Sequence, residues 1–203
     1  MELIEAIKSR RSIRKFKSDA IPDNYIYELI EAARLAPSGT NLQPTRYVII
    51  KSIEAKSKLK ECTPLPFVSE APVIIACCID TNSVSLTNDR MTELREAQAF
   101  VDTPLDKEYP KRDSSSKGSV NTEAVKSYLN LNAAIAIDHI TLRAVDLGLG
   151  SCWVMMFDKE KVKKLLELDE NYDVVALLPI GYPAQSPAQR PRFSMDKVIL
   201  KEI

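Results

Sequence analysis

The stretch KSRRSIRKFK, residues 8–17, concentrates positive charge in a chain that carries no net charge. It holds six lysines and arginines and no acid, whereas the whole chain balances 28 basic against 28 acidic residues. The planar guanidinium group of arginine suits a phosphate, and Ser12 adds a hydroxyl donor. Ile13 and Phe16 interrupt the run, so it has an inward as well as an outward face. The stretch is therefore a candidate anion site, with a solvated basic surface or a nucleic-acid contact as the alternatives.

Three further segments carry residue types that suit a flat, polar ligand. In APSGTNLQP, residues 36–44, Asn and Gln side chains can both donate to and accept from the edge of a heteroaromatic ring. In DLGLGSCWV, residues 146–154, two glycines allow the backbone to approach a ligand closely. QRPR, residues 189–192, adds two arginines with a proline between them. Taken singly, the first also fits a capped turn and the second a helix stop, and the arginine pair alone means little.

The elements that position these segments follow from the spacing of apolar residues. Helical spacing predicts long helices over about 2–10, 23–36 and 122–147, and shorter charged helices over 53–61 and 158–168. Apolar, β-rich runs predict strands at 46–50, 72–80, 151–157 and 173–183. Helices thus flank about four strands, which predicts an α+β sandwich and not a regular βαβ alternation.

Three stretches predict features beyond this sandwich. Residues 81–120 are rich in Ser, Thr, Asp and Lys and show little periodicity apart from a short helix near 92–101, which is typical of an inserted lid or flap. From residue 129 onwards the helix over 122–147 is apolar on every face, so we expect it to be buried on every side, against a second subunit as well. The proline-interrupted tail, 184–203, is predicted to be an extended arm whose end can pair as a strand.

Length and composition exclude several classes of protein. The 203 residues suffice for one large domain, and a zero net charge argues against nucleic acid or an anionic membrane as the main partner. No apolar run approaches the roughly 20 residues needed to span a bilayer. The N-terminus lacks the basic start and apolar stretch of a signal peptide. We therefore expect a cytoplasmic protein with no membrane or nucleic-acid partner.

The four cysteines and the single histidine limit the chemistry further. No CxxC pair is present, so buried free thiols are expected. One histidine cannot form a zinc site of several histidines, and His139 lies in an apolar helical stretch where a structural role is expected. The sequence thus predicts no metal site.

Together, the order and spacing of these segments resemble the FMN-dependent nitroreductase family. The likeness rests on RRSIRKF, APSGTNLQP, NAAIAIDHITLRAVDLGLGSCW, and LPIGYP followed by QRPR, and it covers nearly the whole chain except about 81–120. It implies a nitroreductase-like three-layer sandwich, with a central, mostly antiparallel sheet flanked by helices, in a domain-intertwined homodimer with FMN at the subunit interface. The chain is then a single domain, 1–203, with the lid at about 81–120 and the arm at about 184–203.

The resemblance implies a role for residues of all four segments. Arg10 and Ser12 would bind the FMN phosphate with Arg190 and Arg192, and Arg11 would lie alongside. Arg14 would lie beside the N1–C2=O edge of the flavin, where a cation stabilises the negative charge that collects on reduction. The other subunit would contribute Pro37, Ser38, Gly39 and Asn41. The backbone at Gly150 and Ser151 would approach the N5/O4 side of the ring.

The implied activity is hydride transfer from NAD(P)H to an electron-poor acceptor, such as a nitroaromatic or a quinone, by a ping-pong mechanism. The flavin N5 carries the hydride, so no catalytic side chain is expected. GLGSCW is not a dinucleotide fingerprint, because it lacks a third glycine and follows a helix. One open site that serves both substrates in turn explains why no such fingerprint is present. A specialised flavin enzyme of the same fold (a dehydrogenase or a flavin-fragmenting enzyme) and a non-catalytic FMN-binding protein are the alternatives.

Two positions depart from the family pattern. Gly39 stands where many relatives have a second serine, and Thr45 stands where many have a tryptophan. Both departures predict a wider space over the flavin, which would affect the range of substrates more than cofactor binding.

Overall fold

A four-stranded antiparallel sheet forms the centre of the protein in a computed structural model, which describes residues 1–107 and 122–203. Its strands are β1 (Thr45–Ile50), β2 (Val73–Asp80), β3 (Gly150–Ser151) and β4 (Tyr172–Gly181), in the order β1-β2-β4-β3. Every neighbouring pair is antiparallel. The predicted α+β class with a mostly antiparallel sheet is confirmed.

Helices surround the sheet within the described residues. They are α1 (Leu3–Ser9), α2 (Asp23–Arg34), α3 (Ile53–Leu59), α4 (Pro66–Glu70), α5 (Thr87–Glu96), α6 (Pro104–Lys107), α7 (Thr122–Asp146), α8 (Lys159–Leu165) and α9 (Met195–Val198). In this part of the chain, none of them is long and apolar enough to cross a lipid bilayer.

Alternating side chains of the buried strands create two cores, one on each face of the sheet. On β2, Ile75 and Cys77 face the core shared with α2 and α7, whereas Ile74 and Cys78 face the core shared with α3, α4 and α8. Side chains that alternate along a strand point to opposite faces, so a strand that is apolar at every position is buried on both. The run VIIACCID thereby produces the three-layer arrangement.

The longest helix, α7, leads directly to the edge of the sheet. Gly148 has a φ of 74°, a left-handed conformation that glycine adopts without strain. The Leu149 N–H then donates to the Ala144 carbonyl at 2.7 Å, which closes the helix end. The glycine therefore ends α7 as predicted, and β3 begins two residues later.

Within the single chain, part of α7 is buried and part is exposed, and the predicted burial of the exposed part against a second subunit stays a prediction. Leu129, Ile137 and Ile140 are fully buried, but Leu131 is 63% exposed and Ile135 is 37% exposed. The sheet, α1 and α2 pack against the helix and leave these two side chains exposed in the single chain.

Several predicted elements differ in extent or type. The strand predicted over 151–157 is reduced to β3 and one further bridge, Val154 to Leu177. The strand predicted at the end of the tail is wrong, since Met195–Val198 is a short exposed helix. Residues 81–107 form a 3-10 turn, α5 and α6, so this part of the predicted lid is more helical than its composition indicated. The rest of that lid, from residue 108 to 120, lies outside the described residues.

The predictions for cysteine and histidine hold. All four cysteines are buried and free. The His139 Nδ1 atom lies 3.2 Å from the Ala32 carbonyl of α2, a contact that joins two helices. His139 therefore has a structural role in the packing of α7.

A buried isoleucine of α7 provides a test of this packing. Ile140→Ala should lower the free energy of unfolding by about 2–5 kcal/mol, because it removes buried apolar surface and leaves a cavity. Ile53→Ala, at a position that is 84% exposed, should change it by less than about 0.5 kcal/mol. Urea-induced unfolding at one fixed protein concentration measures both values, and equal effects would contradict the burial described above.

Candidate functional site

The basic stretch runs as an extended segment along the edge of the sheet. The Ile13 N–H donates to the Ser151 carbonyl, and the Lys17 N–H donates to the Tyr182 carbonyl, both at 2.9 Å. The Ala184 N–H donates back to the Lys15 carbonyl at 2.9 Å. These bonds hold the segment between β3 and the start of the tail.

Gly150 permits the close approach of this segment. A Cβ atom at Gly150 would lie 2.5 Å from Cγ1 of Ile13, which is shorter than any normal contact. Ile13 is 5% exposed and packs in that space. The resemblance assigns the backbone of Gly150 and Ser151 to a flavin contact; here both residues are buried, and the Ser151 carbonyl accepts from Ile13.

Arginines from both ends of the chain meet around one small cavity. Its volume is ≈ 60 Å³, and it is lined by Arg10, Arg11, Ser12, Arg14, Pro187, Arg190 and Arg192. No acidic residue of the described chain lines it. A water molecule occupies about 30 Å³ of the liquid, so this cavity has the volume of about two water molecules. That volume suits a compact group such as phosphate and is too small for an aromatic ring.

The donors of Arg11, two bonded and one without a partner, indicate that this cavity suits an anion. Arg11 Nη1 donates to the Lys8 carbonyl at 2.7 Å and to the Arg10 carbonyl at 2.8 Å. Its Nε atom is buried and has no hydrogen-bond partner. A buried donor without a partner is costly, and five guanidinium groups around one cavity repel each other. A phosphate would supply acceptors and negative charge, so the residues present fit the phosphate group of FMN.

The thiol of Cys152 lies next to these cations. Burial raises the pKa of Cys152, and Arg14, Ser12 and Arg10 oppose this shift in that order of strength. Burial is the largest contribution, so the thiol is kept protonated. Cys152 therefore adds no negative charge to the basic cavity.

The loop between α2 and β1, residues 37–43, has an unusual backbone. Thr40, Asn41 and Gln43 have φ values of 51°, 52° and 50°, in the left-handed region that side chains other than glycine seldom adopt. The Gln43 N–H donates to Ser38 Oγ at 2.9 Å and stabilises the turn. Such a conformation persists only where its surroundings hold it.

The α7 helix supplies part of those surroundings, and α5 also packs against the loop. The Gly39 N–H donates to Asn132 Oδ1 at 2.7 Å, and Asn132 Nδ2 donates to the Tyr128 carbonyl at 2.7 Å. A Cβ atom at Gly39 would overlap the Tyr128 hydroxyl. In the single chain, Tyr128 therefore occupies the space that a serine side chain at position 39 would need, and the predicted effect of Gly39 on the width of the site stays a prediction.

The structure brings together only some of the predicted site residues. Those that line the cavity are Arg10, Arg11, Ser12, Arg14, Arg190 and Arg192. Gly150 and Ser151 lie beside the basic segment. The loop residues Pro37, Ser38, Gly39 and Asn41 do not line the cavity. The arginine cluster is therefore formed within one chain, and the loop is separate from it.

Sequence reasoning missed four residues near these features: Pro187, Cys152, Tyr128 and Asn132. Asn132 had a usable signal, because it is a polar residue within an apolar helix and is only 4% exposed. Buried polar groups are nearly always hydrogen-bonded, so such a residue indicates a specific partner. The other three had no comparable signal.

A larger cleft of ≈ 530 Å³ lies between residues 60–64 and 155–158. Met155 and Met156 line it and are largely exposed. It contains none of the predicted site residues, and it has no arginine among its lining residues.

The fold and the cavity define a three-layer α+β protein with an arginine-lined cavity at the edge of its sheet. Residues 7–182 match the model of the nitroreductase family, and the chain therefore belongs to that family. The resemblance seen in the four sequence segments is confirmed.

Individual relatives cover almost the whole chain. An NADH dehydrogenase of Thermus thermophilus is 31% identical over 96% of this chain and 93% of its own length. An FMN reductase (NAD(P)H) of Bacillus subtilis is 26% identical over 97% of this chain and 72% of its own. A crystal structure of an Exiguobacterium sibiricum protein in complex with FMN has a TM-score of 0.82 at 22% identity, covering 98% of this chain and 96% of that one. The last similarity shows the fold.

The buried thiols provide a test of the environment around the cavity. Burial raises the pKa of all four cysteines, to about 12 for Cys78, and it also hinders access of a reagent. At pH 8 the folded protein should react with an aromatic disulfide reagent at least about tenfold more slowly than the unfolded protein. The unfolded chain should titrate four thiols. A thiol that reacts rapidly in the folded protein would contradict this burial.

Proposed function

We propose that this protein is an NAD(P)H-dependent flavin oxidoreductase that binds FMN. The observation that carries the proposal is the cavity lined by five arginines and Ser12, in which Arg11 has a buried Nε–H without a partner. The names of the relatives agree, since one is an FMN reductase and another an NADH dehydrogenase.

In this proposal the phosphate of FMN lies in the arginine cavity. Arg10, Ser12, Arg190 and Arg192 donate hydrogen bonds to it, and the free Nε–H of Arg11 provides a further donor close by. Charge-assisted bonds from arginine are among the strongest hydrogen bonds in proteins, and their fork geometry orients the phosphate. The phosphate end of FMN is thereby held by a single chain.

Arg14 extends the positive charge from the cavity toward the flavin ring. Its guanidinium lies near Cys152, and Cys152 directly follows β3. We place Arg14 beside the N1–C2=O edge and the backbone of Gly150 and Ser151 toward the N5/O4 side. A fixed cation in that position stabilises negative charge that develops on the ring.

FMN, when bound, supplies hydride transfer at its N5 atom. The chain's own residues orient the ring and leave one face open, where NAD(P)H and then an electron-poor acceptor such as a nitroaromatic or a quinone bind in turn. The segment that follows α7 supports such a shared site. Its glycines end a helix and admit Ile13, so they do not form a separate dinucleotide pocket.

A second copy of the chain completes the site in this proposal. Large apolar side chains are exposed on α1, on α7 and in the tail, including Leu3, Ile4, Ile7, Leu131, Ile135, Phe193 and Leu200. Apolar exposure at this level is typical of an interaction surface. A homodimer would cover these residues and bring Pro37, Ser38, Gly39 and Asn41 of one copy to the flavin of the other.

The single domain, residues 1–203, then carries two accessory parts. The tail, about 184–203, begins at the cavity through Pro187, Arg190 and Arg192 and continues as an exposed arm suited to contact the second copy. In the described part of the insertion (about 81–120), α5 packs against the loop at Gly39–Asn41. A lid over the acceptor side is the role that this position supports.

Cofactor binding tests the phosphate assignment. Arg10→Ala combined with Arg192→Ala should weaken FMN binding at least about 100-fold, because two charge-assisted hydrogen bonds are lost. Lys17→Ala is the matched control, since Lys17 belongs to the same basic stretch but does not line the cavity. Fluorescence titration with FMN measures the affinities, and riboflavin, which lacks the phosphate, should bind all three proteins alike. Unchanged FMN affinity in the double variant would show that the phosphate binds elsewhere.

Anaerobic reduction tests the proposed activity. NADH or NADPH should bleach the blue absorption of the FMN-loaded protein, and a nitroaromatic or a quinone should restore it. Steady-state rates at several donor concentrations should give parallel double-reciprocal lines, as expected when donor and acceptor use one site in turn. Protein that binds FMN but is bleached by neither nucleotide would favour a non-catalytic FMN-binding protein.

A further inference from the structure

Gly39 and Tyr128 fit each other closely. Tyr128 lies on α7, and its hydroxyl occupies the position that a side chain at residue 39 would take. The ring atom Cζ would lie 2.9 Å from a Cβ atom at residue 39, so the ring as well as the hydroxyl fills this space. The hydroxyl end of Tyr128 lies against the loop. The residue is 40% exposed, so part of its ring remains accessible.

Asn132 holds the same point of the loop by a hydrogen bond. It lies one helical turn after Tyr128, so both side chains are on the same face of α7. Its Oδ1 accepts from the Gly39 N–H, and its amide donates to the Tyr128 carbonyl. Asn132 itself is 4% exposed, so its amide group is largely removed from water and depends on these two partners.

The loop has a clear need for this support. Immediately after Gly39, Thr40 and Asn41 adopt left-handed conformations that are unfavourable for residues with side chains. A conformation of this kind is lost when the contacts that impose it are removed. Gly39 precedes these two residues, and α7 holds it by the Asn132 hydrogen bond and by the contact with the Tyr128 ring.

We propose that Tyr128 and Asn132 are positioning residues of the cofactor site, which set the place and shape of the loop 37–43, and that Gly39 is matched in size to Tyr128. This proposal rests on the proposed function, because only there does the loop contact FMN. The absence of a side chain at residue 39 then serves to admit Tyr128. The accessible part of the ring borders the surface that the loop presents to the flavin and the acceptor.

Hydrogen exchange of the FMN-free protein tests the Asn132 contact without any cofactor. Asn132→Leu removes the acceptor at similar volume, and exchange of segment 37–43 should accelerate about tenfold. Thr141→Val is the matched control: Thr141 is also buried in α7, and within the described residues its hydroxyl bonds only to Asp138 of the same helix. Acceleration in both variants, or in neither, would overturn the role of Asn132.

A double-mutant cycle tests the pair Gly39 and Tyr128. Gly39→Ser should weaken FMN binding about tenfold and raise KM for the acceptor, because the added side chain displaces the loop or the ring. In the background of Tyr128→Ala the same substitution should have little effect, which is a rescue that a loss of general stability would not produce. In the background of Tyr128→Phe the rescue should be partial, since Cζ remains close to the new Cβ atom.

The possible outcomes separate this proposal from the proposed function. If Gly39→Ser has the same effect in all three backgrounds, the size match between Gly39 and Tyr128 is overturned. It is also overturned if Gly39→Ser has no effect because the Tyr128 ring moves into solvent. Wild-type protein that takes up no FMN would overturn the proposed function and the cofactor role of the loop together. In that case, the exchange experiment would still establish or reject the contact between α7 and the loop.

Discussion

Backbone pairing between residues 13–17 and the sheet edge is the interaction on which the rest of the site depends. The bonds from Ile13 to Ser151 and from Lys17 to Tyr182 hold the segment in place, and Ile13 is packed against Gly150. The same pairing keeps several guanidinium groups close together, which their mutual repulsion opposes. Hydrogen bonds and apolar burial offset that repulsion, so the guanidinium groups are already gathered around the cavity in the protein without ligand. An arrangement fixed in advance stabilises charge without reorganising at the moment of binding.

The α7 helix connects the two parts of the proposed site. Its end at Gly148 leads into β3, which carries the basic segment, and its first half contacts the α2–β1 loop through Tyr128 and Asn132. Its buried side packs on the sheet and on α2, so both contacts start from a rigid element. In a homodimer of the proposed kind, the exposed side of α7 would face the second copy. In such a dimer, α7 would connect the phosphate end of one FMN site to the loop that contributes to the second FMN site.

Much of the fold could be predicted from local sequence, and the exceptions have physical causes. The runs that became β2 and β4 are apolar at every position, and only a strand covered on both faces satisfies such a pattern. Beyond Ser151 the chain bonds to β4 at Cys152 and Val154 but forms no continuous strand, although its composition is typical of one. The helix α5 was hard to recognise because Met91 is its only buried residue, so it has almost no apolar periodicity. In the tail, DKVILKEI has the residues of a strand, but Met195–Val198 forms a short exposed helix, and the segment pairs with no strand among the described residues.

By itself, the sequence determined which groups are available for the site and which elements carry them. The arginines, the glycines and the apolar periodicity are local properties, and each depends on a few neighbouring residues. Only the tertiary structure decided that Arg190 and Arg192 return to Arg10 from the opposite end of the chain. It also decided that the space beside Gly39 belongs to Tyr128. These are contacts between residues far apart in sequence, and their geometry is set by how the helices and the sheet pack, which no local pattern encodes.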